Sequence, residues 1–110
     1  MEQLLTTLVQ RARGEGAVAS QELPNGRELL AYPHGNGVLV GLGFDRRRAQ
    51  LVHLETVLRR RAEQPARYAA WLPALLADDS WYVFRRVHHI IAGTHILSPD
   101  ELKLAEELLA

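Results

Sequence analysis

The sequence predicts an α+β fold, a small antiparallel sheet packed with helices, and three observations carry that prediction. Both ends of the chain show helical apolar spacing, two glycine-bearing turns divide the region after the first helix into three strand-like runs, and a second aromatic, β-branched run lies near the C-terminus. With 110 residues, 47% of them hydrophobic and 24% charged, the chain has the length and composition of one globular domain, expected to span residues 1–110.

Residues 2–13 read as a helix because Leu4, Leu5, Leu8, Val9 and Ala12 recur at spacings of three and four; Gly14 and Gly16 end it. The strand-like runs Ala17–Leu23, Arg27–Pro33 and Val38–Phe44 follow as a meander, divided by Pro24-Asn25-Gly26 and His34-Gly35-Asn36-Gly37. Asn-Gly favours the tight turns of hairpins because both residues tolerate positive φ. In the third run Val38, Val40, Leu42 and Phe44 share one face, while Leu39, Gly41 and Gly43 leave the other with little bulk, so another group can approach it closely.

From Asp45 as N-cap, a helix is expected to about Glu63, with Leu51, Leu54, Leu58 and Ala62 within about 80° of one another. Val52 and Val57 flank that stripe, so the helix carries more apolar circumference than one sheet contact requires and calls for a second packing partner. Pro65 restarts the chain into a second helical stretch, Ala66–Leu76, interrupted by Pro73. The run Trp81–Ile91 favours a strand, although Trp81, Phe84, His88 and Ile91 also fit a helical face. Ser98-Pro99-Asp100-Glu101 combines an N-cap, a proline at the first helical position and a capping-box glutamate, with Leu97 able to staple onto Leu102.

Composition removes several function classes. Thirteen basic and thirteen acidic residues cancel, so overall charge draws the chain toward neither nucleic acid nor a membrane. Without cysteine there are no disulfides, thiolate nucleophiles or thiolate metal sites. The N-terminal stretch is too short and amphipathic for a signal peptide, and no apolar run is long enough to span a bilayer, so a cytoplasmic location is expected.

Six of the thirteen basic residues stand in two triplets, Arg46-Arg47-Arg48 and Arg59-Arg60-Arg61. Arg48 and Arg59 fall about 20° apart on a helix and Arg46 and Arg60 about 40° apart, but the two pairs point in different directions. No aromatic side chain interleaves to stack bases, so a solvated or salt-bridged surface outweighs nucleic-acid binding. A small nucleic-acid-associated regulator is the alternative function, and an arginine-rich protein interface is a third use of these residues.

His88, His89 and His95 lack ligand spacing, and no metal or other cofactor is expected. Gly41-Leu42-Gly43 lacks the third glycine of a dinucleotide loop, position 46 being arginine. The three serines, Ser20, Ser80 and Ser98, stand in no nucleophile motif. The chain is expected to be non-catalytic.

What remains is apolar surface. Leu29, Leu30, Tyr32, Leu39, Trp71, Trp81, Tyr82 and Phe84 exceed what one side of a small sheet buries. Core packing accounts for most of them, but an exposed subset would form a patch for another chain. The partner-binding candidates are Leu30, Tyr32, Leu39, Trp71, Trp81 and Phe84, with open strand edges able to accept an extended peptide.

The element order, carried by MEQLLTTLVQ, by ELPNGRELLAYPHGNGVLVGLGF, by SWYVFRRV and by LSPDELKLAEELLA, resembles the effector chaperones of bacterial type III secretion, the Tir-chaperone-like family. That resemblance implies an α+β cytoplasmic homodimer that keeps a segment of a secreted effector or secretion-system component extended along its surface, without ATP. It places the dimer contact on the long helix, at Leu51, Leu54 and Leu58. A divergent secretion-system regulator on the same scaffold is a related possibility.

Overall fold

The computed structural model describes residues 1–90 and 95–110, and within them the fold is α+β. Helix α1 (Glu2–Glu15) leads into strands β1 (Ala19–Glu22), β2 (Glu28–His34) and β3 (Gly37–Phe44). Helix α2 (Leu51–Glu63) and the single turn α3 (Pro65–Tyr68) precede β4 (Leu72–Leu75), β5 (Trp81–Val87) and α4 (Pro99–Leu109). The five strands form one antiparallel sheet in the order β1-β2-β3-β5-β4. The first three strands are the expected meander; β5 then pairs with β3, and β4 folds outside it as an edge hairpin.

One face of this sheet is the core. Leu29 and Ala31 from β2, Val38, Val40 and Leu42 from β3, and Trp81 and Val83 from β5 are fully buried there. They pack with Leu5, Leu8, Val9 and Ala12 of α1 and with Leu102, Ala105, Leu108 and Leu109 of α4. Strand alternation and helical spacing thus meet on one surface, as the sequence pattern requires. Gly16 ends α1 in the left-handed conformation, with φ 64°, a conformation favoured in glycine because it lacks Cβ. Ser98 caps α4, its hydroxyl accepting from the Glu101 amide at 3.2 Å, and Leu97 and Leu102 are both buried beside it. The Glu101 carboxylate pairs with Arg85 at 3.2 Å.

Two expectations need correction, and a third is borne out in type. Asp45 caps a turn, not the long helix: its carboxylate accepts from the amides of Arg47 and Arg48 at 3.1 and 3.2 Å, and α2 begins only at Leu51. The stretch expected to be helical over Ala66–Leu76 is one turn followed by strand β4. Proline interrupts a helix but is tolerated on an edge strand with its nitrogen turned outward, and Pro73 occupies such a position. Trp81–Ile91 is a strand over Trp81–Val87; Ile91 lies outside the described residues.

The two arginine triplets act largely within the molecule. Arg47 pairs with Asp45 at 3.3 Å and Arg48 with Glu22. Arg60 donates to the carbonyls of Glu107, Leu108 and Ala110 at the end of α4, where unpaired helix carbonyls collect, and His53 lies 2.6 Å from the Leu109 carbonyl. Arg61 donates to the carbonyls of Trp71 and Ala69.

Candidate functional site

Among the described residues no helix lies over the outer face of the sheet. Its composition follows from register: Leu30 of β2 stands opposite Gly41 of β3, Gly41 opposite Phe84 of β5, and Phe84 opposite Leu72 of β4. A second row runs through Tyr32, Leu39 and Arg86, and a third through Glu22, Glu28, Gly43, Tyr82 and Ala74. The first row is apolar from β2 to β4.

Gly41 shapes this surface. A Cβ there would lie 2.7 Å from the Phe84 ring, so the ring folds down over the glycine and leaves a hollow instead of a ridge. The resulting groove of about 670 Å³ is lined by Val18, Leu30, Tyr32, Leu39, Phe84, Leu72, Pro73, Ala74 and Leu76. No lining residue carries a charge, and the only side-chain polar atom is the Tyr32 hydroxyl. Tyr32 is 46% exposed and Leu72 58%. Beside the groove, Tyr82 lies against Gly43 with its ring 5.6 Å from that of Phe84. Burial, followed by the charge of Glu28, pushes its phenol up to about 12. At the β4–β5 turn the Ser80 hydroxyl and amide hold the Asp78 carboxyl below the usual range.

Four of the six partner-binding candidates, Leu30, Tyr32, Leu39 and Phe84, come together in this groove. Trp71 and Trp81 do not: both are fully buried on the opposite side. The Trp71 indole donates to the Glu101 carbonyl at 3.1 Å, while Trp81 packs with Phe44 and His53 at ring separations of 5.2 and 5.5 Å. Aromatic bulk suggested a binding role for both, but strand phase puts Trp81 inward with Val83, and its indole N–H has no partner among the described residues. Val18, Leu72, Ala74 and Leu76 were missed. For the residues on and beside β4 the signal was Pro73, which marks an edge strand and so an alternation of Leu72, Ala74 and Leu76 onto one face.

A second apolar surface lies on α2. Only Val57 of this helix is fully buried, whereas Leu51 is 64% and Leu58 49% exposed, with Val52 and nearby Leu75 also open. Leu54, expected among the dimer contacts, is partly buried and packs against the core.

The sheet edges are less open than the groove. The bond from the Leu23 amide to the Arg27 carbonyl sets the β1–β2 phase, so Ser20 and Glu22 direct their backbone groups outward. Arg11 occupies the Ser20 carbonyl and Gln21 that of Glu22. On β4, the Leu76 to Ser80 bond sets the phase and turns Pro73 outward without an N–H to offer.

Among the described residues no group of three His, Asp or Glu side chains is placed to hold a metal ion, and no helix is long and apolar enough to cross a membrane. Arrangement and surface define a class: an α+β protein with one sheet face packed and the other bearing an apolar groove. Comparison of the chain with protein-family models, curated proteins and solved structures returns no match.

Proposed function

We propose that this protein is a non-catalytic protein-binding module that seats a segment of another polypeptide on the outer face of its sheet. The observation that carries the reading is the continuous apolar groove on a sheet face that none of the described residues covers with a second layer, since a sheet ordinarily buries an apolar face against another element. The fuller form is a cytoplasmic chaperone that keeps a secreted effector or secretion-system component from completing its own fold. It works as a homodimer joined through the exposed Leu51 and Leu58 of α2. Support for that form comes from the element order and from the apolar α2 face. The nucleic-acid alternative has less to draw on, because Arg47, Arg48, Arg60 and Arg61 are held by internal partners.

Photo-crosslinking in the native cell tests the groove. A crosslinker at Tyr32 should capture a protein, while one at Lys103 on α4 should not; equal capture at both sites, or none at Tyr32, removes the proposal. Light scattering tests the dimer: a dimer that Leu58→Glu converts to a monomer is expected, and a monomeric parent protein rejects that part.

A further inference from the structure

Resting on that reading of the groove, we infer that the segment it receives is an amphipathic helix and not an added strand. The reason is hydrogen bonding. An extended peptide needs partners for its backbone, and it normally finds them at a sheet edge. Here the outward carbonyls of β1 already accept from Arg11 and Gln21, leaving the Ser20 and Glu22 amides, and Pro73 interrupts the outward donors of β4, so neither edge offers an extended peptide an unbroken set of partners. On the groove floor, away from those edges, aliphatic side chains and the Phe84 ring offer almost nothing to an N–H or C=O. Burying an unpaired amide there costs on the order of 1–3 kcal/mol per group. A helix carries its backbone bonds internally and presents only side chains, so it escapes that cost.

The dimensions agree. The groove runs obliquely from Val18 and Tyr32 on the β1–β2 side to Leu72 and Leu76 beside β4. With strand spacings of about 4.8 Å it extends on the order of 20–25 Å, which takes a helix of roughly 16 residues. The flanks are chemically unlike. Glu28 lies to one side, in the row of Glu22 and Tyr82, and exposed Arg86 lies to the other, in the row of Leu39. The complementary helix therefore has a leucine-type stripe at i, i+3, i+4 and i+7, bordered by basic residues toward Glu28 and acidic residues toward Arg86.

A labelled peptide of about 16 residues built to this pattern is the probe. Its controls have the same composition, one with the apolar residues in strict alternation and one with the flanking charges exchanged. Fluorescence anisotropy should show the helical-pattern peptide binding, and circular dichroism should show helix gained on binding. Exchanged charges should weaken binding several-fold, and Leu72→Lys or Tyr32→Lys about tenfold or more. Both positions are about half exposed, and thermal melts would verify that the variants fold. If the alternating peptide binds in preference, the helix inference fails and the groove reading survives; if no peptide binds, both fail. A parent dimer that Leu72→Lys splits, while Leu58→Glu does not, would assign the groove to a second copy and overturn the inference.

Discussion

The two faces of the sheet are built from the same strands but meet different surroundings. On β3, Val38, Val40 and Leu42 point inward and are fully buried under α1 and α4, while Leu39, Gly41 and Gly43 point outward where no helix lies. The inner face is filled by branched side chains. The outer face is hollowed by glycine and, among the described residues, carries no second layer, yet it stays apolar through Leu30, Phe84 and Leu72. Burial of a strand residue therefore depends on the layer above it as much as on its own hydrophobicity.

Paired leucines give the largest test of that contrast. Leu29→Ala on the inner face should cost about 2–5 kcal/mol through lost burial and a cavity. Leu72→Ala on the outer face should change stability by about 0.5 kcal/mol or less, and chemical denaturation of the two variants compares them directly. Equal losses would mean that the outer face is covered in solution.

The outer glycines sharpen the comparison. A Cβ at Gly43 would sit 2.2 Å from the Trp81 carbonyl oxygen and 2.5 Å from the Tyr82 Cα, which are backbone atoms. At Gly41 its three nearest neighbours all belong to the Phe84 ring, which can tilt into the open groove. Gly43→Ala should accordingly cost about 2–3 kcal/mol and Gly41→Ala about 1 kcal/mol, while Gly41→Ala also narrows the groove. Thermal melts with peptide titrations separate the two effects.

The smallest effect distinguishes the inner tryptophans. Trp71→Phe removes a donor from the Glu101 carbonyl and should cost about 1–2 kcal/mol more than Trp81→Phe, whose indole N–H has no partner to lose. Similar losses at both positions would show that ring packing alone sets their contributions.

Much of this was readable in the chain. The three-stranded meander follows from its two glycine-bearing turns, with Gly26 and Gly35 at positive φ, and the last helix from Ser98-Pro99 and Leu97, because turn and capping chemistry act over a few residues. Leu30, Tyr32, Leu39 and Phe84 were legible as candidates because period-two alternation places them opposite the core. The β4 strand was not legible: Ala66–Leu76 has helical composition, and only pairing with β5 makes Leu72–Leu75 extended. The onset of α2 was displaced for a similar reason, since Asp45 serves equally as the cap of a turn or of a helix.

By itself, then, the sequence determined the fold class, the inner and outer sides of β3 and the absence of thiol chemistry, because these depend on local periodicity and composition. Tertiary structure decided that Trp71 and Trp81 belong to the core, that Arg60 and Arg61 cap distant carbonyls, and that β4 completes the groove. Those outcomes depend on which elements pack together, and no local pattern encodes contacts between residues of different elements.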